Sequence, residues 1–247
     1  TDLRRKAMGT LSEVLGVDGV ELDTTARIVG FKRIALEEAS RLPQLTISRL
    51  KAFAKGINGA MEEAKGQLPI EFDLLDYHPE PWSHVDSLAL WAELRWYLTG
   101  RLPIIAIPEL AKRELGEDSL YEAFLTGEAD EESIVPPGHY PSNRTGGVKI
   151  GAAISQPDEG LGSNNWVIGS KLSSSGRPLV ASDPHIAFGN VSCWYQAHLS
   201  GAGFNFTGGG YVGVPGVIFG RNERVAWGVT NNICAQRAVS YTHLRAH

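Results

Sequence analysis

The spacing of apolar residues changes near the middle of the chain, and this change constrains the fold more than any other feature. Up to about residue 130, apolar side chains recur every three or four positions, as in "TDLRRKAMGTLSEVLG" and "DTTARIVGFKRIALEEASRL", which is typical of amphipathic helices. From Ser163 onward the apolar runs are short and separated by turn-forming residues, as in "NNWVIGS" and "RVAWGVTN", which is typical of strands. Helices followed by closely spaced strands predict an α+β fold with antiparallel pairing.

The segment between the two patterns has a composition of its own. Residues 131–162 are rich in Pro, Gly, Ser, Asp and Glu and have weak periodicity, so they are predicted to form an exposed linker or spacer. The sequence therefore divides into a helical region at 1–130, this linker, and a strand region at 163–237.

Both ends of the sequence are expected to be truncated. The chain opens within a helical pattern and its first methionine is Met8. The final residues, "AVSYTHLRAH", do not continue the preceding pattern and resemble the translation of a sequencing adapter. Residues 238–247 are therefore expected to be a non-native tail, although a genuine loop is the alternative.

Charge and cysteine content exclude several classes of protein. The net charge of -5 argues against a nucleic-acid-binding protein, which would need a basic patch. No apolar run approaches the length that spans a bilayer. Cys193 and Cys234 cannot form a disulfide framework and have no zinc-ligand spacing. Both are expected to be small buried or half-buried residues, and a single disulfide between them is the alternative.

Common short motifs give little support to other enzyme classes. The Gly-x-Ser-x-Gly and His-Glu-x-x-His patterns do not occur in the sequence, which removes the main signals of an α/β-hydrolase or a zinc protease. A Gly-x-Gly-x-x-Gly match occurs at Gly208, Gly210 and Gly213, but no helical pattern follows it. A turn between strands is predicted there instead of a dinucleotide-binding loop.

Longer segments resemble a known family. "GSNNWVIGSKLSSSGRPLVASDPHIAF" and "HLSGAGFNFTGGGYVGVPGVIFGRNERVAWGVTN" resemble the penicillin acylase family of N-terminal-nucleophile hydrolases, and so do "FAKGIN", "LPIEFDLLDYHPEPW" and "DSLALW". The resemblance covers residues 1 to about 237. It implies a precursor that cuts itself into an α chain and a β chain. It also implies a helical α-chain region followed by the first antiparallel strands of a four-layer αββα sandwich.

The resemblance places the cut between Gly162 and Ser163 and makes Ser163 the nucleophile. A serine hydroxyl needs a base, and a freed α-amino group has a pKa of roughly 7.7–8.0, so cleavage would create the base on the nucleophilic residue itself. Gly162 suits this step because glycine tolerates a strained backbone. The alternative for Ser163 is a loop serine that caps a turn.

The resemblance implies roles for four more residues. His185 is expected to orient the hydroxyl and the amine of Ser163, with a purely structural histidine as the alternative. The backbone N–H of Asn231 is expected to form half of an oxyanion hole, whose other donor lies downstream of this chain. Ile186 and Phe219 are expected to line an apolar acyl pocket, and both could equally belong to the core.

The function implied is a self-processing amidohydrolase that cleaves a linear amide through an acyl-enzyme. The substrate is expected to be a small acylated amine such as a β-lactam side-chain amide or an N-acyl-homoserine lactone, and the α and β chains of one precursor are the expected protein partners. Nucleic acid is not an expected partner. A non-catalytic relic or binding module with this fold is the alternative.

No cofactor is required for this chemistry, but the resemblance leaves a structural calcium possible in the full-length protein. Ala235 and Ala238 stand where the family has carboxylates, so calcium is not assigned to this sequence. Family members are often periplasmic or secreted, and the sequence itself gives no compartment. The chain as it stands is expected to be inactive, because it lacks half of the oxyanion hole and much of the sheet.

Overall fold

The computed structural model describes residues 2–99, 102–116, 119–126, 163–185 and 193–230. In these ranges, helices come first and strands follow. The helices are α1 (Asp2–Met8), α2 (Ser12–Leu15), α3 (Val20–Val29), α4 (Phe31–Arg41), α5 (Gln44–Glu63), α6 (Ile70–Leu74), α7 (His84–Thr99), α8 (Leu102–Leu115) and α9 (Ser119–Thr126). The strands are β1 (Ser163–Ile168), β2 (Leu179–Pro184), β3 (Trp194–Gly201), β4 (Phe204–Tyr211), β5 (Phe219–Asn222) and β6 (Ala226–Trp227).

The α+β prediction is confirmed. β1 pairs with β2 in one sheet, and β3, β4, β5 and β6 lie in that order in a second sheet. Every pairing between these strands is antiparallel. Among the described residues from Ser163 onward no α-helix lies between strands, as their close spacing predicts, and the β1–β2 connection contains only a short 3-10 helix, Ser170–Leu172.

The chain divides into two compact units. The first comprises Thr1–Leu98 and Leu161–Ile233, and the second comprises Thr99–Gly160 and Cys234–His247. The first unit contains the described strands and almost all of helices α1 to α7. In the second unit α8 and α9 contact each other. The predicted linker at 131–162 and the predicted tail at 238–247 lie outside the described residues, except that β1 begins directly after the linker's last position.

Two predicted helices are each split by a glycine. The pattern of the first 15 residues predicts one helix, but the structure interrupts it at Gly9, whose φ is +69°. The next pattern runs through Gly30, which has φ +81° and ends α3. A left-handed residue cannot continue an α-helix. The prediction of two continuous helices is therefore wrong, although the apolar spacing on either side of each glycine is helical as expected.

The start of α7 is fixed by its own first turn. The helix begins at His84, so Ser83 occupies the N-cap position. The backbone N–H of Ser83 donates to Asp86 Oδ2 at 2.6 Å, which is the return half of a capping box. Ser83 and Asp86 therefore both contribute to the start of α7.

The apolar core is formed by helices. Its largest buried cluster joins Ala35 on α4, Leu50 on α5 and Leu90 on α7 with Trp82, which precedes α7. Asn58 holds Trp82 in place, because its amide donates to the Trp82 carbonyl at 2.9 Å and its Oδ1 accepts from the Trp82 N–H at 2.6 Å. The indole nitrogen of Trp82 donates to Ser87 Oγ at 3.0 Å. Polar partners thus let a large amphipathic ring occupy the core.

The three glycines of the Gly-x-Gly-x-x-Gly match belong to the second sheet. Gly208 and Gly210 lie within β4, and Gly213 lies in the turn between β4 and β5. A strand follows this turn, so a dinucleotide-binding loop is not formed. Two of the three glycines are strand residues instead of turn residues, which the motif by itself does not predict.

Cys193 is half-buried and not in a disulfide, and burial raises the pKa of its thiol. Cys234 lies outside the described residues.

In the part of the chain that the structure describes, no helix is both long enough and apolar enough to cross a membrane.

Candidate active site

The hairpin of β1 and β2 positions Ser163. Ser163 is the first residue of β1 and lies opposite Pro184 at the end of β2. The six paired positions run from this end to Ile168 opposite Leu179. Because the ladder fixes the C-terminal side of Ser163, a break in the bond before it would leave the residue attached to the sheet.

The segment that follows β6, residues 228–230, lies across both strands of this hairpin. The Thr230 hydroxyl donates to the Ser163 carbonyl oxygen at 2.8 Å, and the Val229 N–H donates to Ser182 Oγ at 3.3 Å. Gly228 fits against the hairpin because it has no side chain. A Cβ at this position would overlap Asn165 Oδ1 and lie 3.0 Å from Ser182 Cβ.

His185 is held by a neighbouring carboxylate. Its Nε2 lies 2.9 Å from Asp183 Oδ2, and 69% of the Asp183 side chain is exposed. An ionised carboxylate only accepts hydrogen bonds, so Nε2 donates and Nδ1 remains available as an acceptor when the ring is neutral. The Asp183 carboxylate therefore fixes both the orientation and the tautomer of the imidazole.

Phe219 packs over a glycine of the neighbouring strand, which leaves room for its ring. It is the first residue of β5 and pairs with Gly209 of β4. A Cβ on Gly209 would overlap the Phe219 ring. The ring packs edge-on against Trp194, with 5.1 Å between centroids. Trp194 and Phe219 line an open cavity of about 680 Å³ together with His198 and Thr207.

The structure brings together some of the predicted site residues. Ser163 and His185 lie at the same end of one hairpin, because Pro184 pairs with Ser163 and immediately precedes His185. Phe219 lies in the second sheet. Gly162, Ile186 and Asn231 lie outside the described residues, so their predicted roles stay predictions.

Two residues of this region were not identified from the sequence. Thr230 anchors the Ser163 carbonyl from a position 67 residues away, and no local pattern indicates such a contact. Asp183 stands two positions before His185 in "SDPH", and side chains two apart on a strand lie on one face. His185 lies one residue beyond β2, so the two-residue spacing in "SDPH" is the local signal that could have indicated the second contact.

Comparisons with known proteins identify the family. A match to the penicillin amidase family covers residues 1–241. Penicillin acylase 2 proenzyme from Pseudomonas sp. (strain SE83) is 31% identical over 92% of this chain and 31% of its own length. Acyl-homoserine lactone acylase QuiP from Pseudomonas aeruginosa is 28% identical over 92% of this chain and 28% of its own length. The chain therefore belongs to the penicillin amidase family.

A solved structure is also similar. It is a thermostable penicillin G acylase from Alcaligenes faecalis, with a TM-score of 0.44 and 20% identity, over 54% of this chain and 76% of that one. The chain spans less than a third of the length of the two sequence relatives named above.

Proposed function

We propose that the protein containing this chain is a self-processing amidohydrolase whose nucleophile is Ser163, exposed as a chain terminus by cleavage of the Gly162–Ser163 bond. The observation that carries the proposal is the position of Ser163 at the first residue of a strand, with its carbonyl held by Thr230 at 2.8 Å. Family membership over residues 1–241 supports it. One relative is itself described as a proenzyme.

The cut would supply the base that the reaction needs. In the intact chain the nitrogen of Ser163 is a peptide nitrogen and cannot accept a proton. In the maturation step the Ser163 hydroxyl attacks the Gly162 carbonyl and the peptide C–N bond breaks, while the hydroxyl proton passes to the departing nitrogen of Ser163. Water then hydrolyses the resulting ester, which releases the Gly162 carboxylic acid and restores the Ser163 hydroxyl. The freed α-amine has a pKa of roughly 7.7–8.0, so it can take the hydroxyl proton near neutral pH.

Substrate hydrolysis follows the same chemistry with an external amide. The Ser163 hydroxyl transfers its proton to the Ser163 amine and attacks the substrate carbonyl. The amide C–N bond then breaks, the leaving amine takes up the proton, and the acyl group stays on Ser163 as an ester. Water attacks this ester and releases the carboxylic acid. The products are one amine and one acid for each water consumed.

Asp183 and His185 are proposed to shape the environment of the nucleophile. Asp183 holds Nε2 of His185 at 2.9 Å, which leaves Nδ1 as a hydrogen-bond acceptor. An acceptor at the end of the hairpin suits an orienting role toward the hydroxyl or the ammonium group of Ser163. We assign His185 as a positioning residue and not as the base, because the amine of Ser163 already provides one.

The oxyanion is proposed to form near the segment at residues 228–230. Thr230 binds the Ser163 carbonyl, and Asn231 is the next residue in the chain, so its N–H is the proposed donor. A single donor of this kind contributes about 10²–10³ in rate in well-studied hydrolases. Ile186 and Phe219 are the proposed apolar contacts of the acyl group, which favours a substrate whose acyl portion is hydrophobic.

The substrate class is proposed to be a linear amide between a hydrophobic acyl group and a small amine. Two relatives are named as a penicillin acylase and an acyl-homoserine lactone acylase, which supports this proposal. An uncut relic that only binds such molecules is the second candidate, and processing separates the two candidates directly.

The test is mass spectrometry of the product of the complete open reading frame that encodes this chain. We expect two polypeptides, one of which begins at Ser163, together with release of amine from an acylated amine substrate. Ser163→Ala should give one uncut polypeptide with no detectable turnover, because the hydroxyl performs both reactions. Ser174→Ala, at an exposed serine in the β1–β2 connection, is the matched control and should process normally. A wild-type preparation that is active while uncut would rule the proposal out.

A further inference from the structure

The strand region makes a buried contact with the helical core through one turn. Among the described residues with buried apolar side chains, Tyr211 is the only one that lies after residue 98. It is the last residue of β4, and the turn that follows it packs against α7 and Trp82. We define residues 211–214 as the docking turn.

Gly213 lets the docking turn approach the helical core. Its φ is +81°, and a Cβ at this position would overlap Leu90 Cδ1 and lie 3.0 Å from two atoms of the Trp82 ring. Leu90 is 1% exposed, so it has little room to move away. Val214 packs against the same cluster of buried residues. The backbone of the turn therefore fills a space that a side chain would not fit.

The charge of a buried carboxylate, Glu93, acts on Tyr211 in the same turn. Lys6 Nζ on α1 lies 2.8 Å from Glu93 Oε1 on α7, and the Glu93 side chain is only 6% exposed. Burial first, and then the negative charge of Glu93, raise the pKa of the Tyr211 hydroxyl. Tyr211 therefore stays neutral beside this carboxylate over the physiological pH range, and it adds no second charge to a buried site.

The docking turn is also linked to the candidate acyl pocket. Tyr211 packs edge-on against Trp194 at 5.6 Å between centroids, and Trp194 packs in the same way against Phe219 at 5.1 Å. A row of three rings therefore runs from the helical core to Phe219. Displacing the turn would remove the support of one wall of the cavity.

We propose that the docking turn is the element that keeps residues 163–230 joined to the helical region once the chain has been cut, with Trp82 and Leu90 as the surface that receives Gly213. The need for such an element rests on the proposed cleavage before Ser163. The contact itself is present in the uncut chain, so it can be tested without any self-processing.

The experiment uses the full chain with Ser163→Ala, which removes self-cleavage, and a recognition site for a sequence-specific endoprotease inserted between Gly146 and Gly147. The folded chain is cut by the added protease and then passed over a size-exclusion column under native conditions. We expect the two segments to elute together. The cut protein is then diluted, and dissociation of the two segments is followed over time on the same column.

The decisive variant is Gly213→Ala, and Gly216→Ala is its matched control. Both glycines lie in the connection between β4 and β5 with positive φ, +81° and +100°, so both substitutions strain the backbone. Only Gly213 would clash, because no atom lies within 4 Å of a Cβ at Gly216. We expect Gly213→Ala to release the segments at least tenfold faster than Gly216→Ala. Equal release rates would overturn the proposal.

A second pair of variants covers the case in which Gly213→Ala does not fold. Val214→Ala removes apolar contact with the core cluster without adding bulk, and Val225→Ala removes the same atoms from a side chain that is 58% exposed. The proposal requires faster release for Val214→Ala than for Val225→Ala. It fails if both cut proteins release at the parent rate. Neither result bears on whether Ser163 is a nucleophile, because the cut is made by the added protease.

Discussion

The helical region and the strand region of the first unit bury their apolar residues to very different extents. In residues 2–98 the core side chains are enclosed, with Leu90 at 1% and Ala35 at 0% exposure. Among the described strand residues, Tyr211 is the only buried apolar side chain, and Trp166 and Val167 are 61% and 74% exposed. The helices thus stabilise one another, whereas the strands are held mainly by their hydrogen-bonded ladders and by the docking turn. The contrast indicates that the helical region contributes most of the free energy of unfolding.

Truncation of one leucine in each region tests this contrast and is expected to give the largest change in the free energy of unfolding. Leu90→Ala should lower the free energy of unfolding by about 3–4 kcal/mol, since it leaves a cavity in a packed core. Leu199→Ala on β3, at a side chain that is 50% exposed, should cost less than about 1 kcal/mol. Denaturant unfolding followed by circular dichroism measures both values. Similar costs at the two sites would show that the contrast does not govern stability.

Asp23 tests whether the helical region also depends on a buried charge. Its side chain accepts hydrogen bonds from the Leu11 N–H at 2.7 Å and the Ser12 N–H at 2.8 Å, and from the Ser12 hydroxyl. Burial raises the pKa of this carboxyl, but the bonds from Ser12 and Leu11 and the charge of Arg27 outweigh burial, so its pKa is lowered.

Asp23→Asn should therefore destabilise the chain by about 2 kcal/mol at pH 7, because hydrogen bonds to a charged group are lost. A lowered folded pKa means that this contribution is complete above the unfolded pKa, near 3.9, and is lost as the pH falls through the folded value. The difference between wild type and Asp23→Asn should shrink below about pH 4. Asp18→Asn, at an exposed carboxylate, is the control and should show no such trend. A difference that stays constant down to pH 2 would contradict the assignment.

The smallest effect is expected at the surface of the helices. Arg95 Nη2 on α7 lies 3.0 Å from Glu38 Oε2 on α4, and the two side chains are 47% and 29% exposed. A double-mutant cycle with Arg95→Met and Glu38→Gln should give a coupling energy of about 0.2–1 kcal/mol that weakens with added salt. A coupling above about 2 kcal/mol, well beyond that range, would mean that ion pairs and not the apolar core distinguish the helical region.

The sequence predicts the elements well where the signal is local. The runs "NNWVIGS" and "RVAWGVTN" each overlap an observed strand, β1 and β6, because a short apolar run bounded by turn residues marks the ends of a strand. The breaks at Gly9 and Gly30 are not predicted, since a glycine within a helical pattern can either continue the helix or adopt a left-handed conformation. Tertiary contacts decide between the two: a Cβ on Gly9 would lie 2.8 Å from the Arg27 side chain.

Little of the candidate site could be predicted from local sequence patterns. Ser163 stands at the change of pattern, but its role as the nucleophile and the role of His185 are implied by the family resemblance and not by a local pattern. The contact between Thr230 and Ser163 spans 67 residues, and it depends on how the two sheets meet, which no local pattern reports. The proposed roles of Gly162, Ile186 and Asn231 rest on the family resemblance and await the processing experiment.

The docking of Gly213 has a consequence for the order of events during synthesis. Trp82 and Leu90 leave the ribosome roughly 120 residues before the turn that they receive, and N-terminal segments generally fold first during synthesis. We expect the helical core to form first and the strand region to pack against it as it is made. We therefore expect the two regions to pack together while they are one chain, before the proposed cleavage takes place.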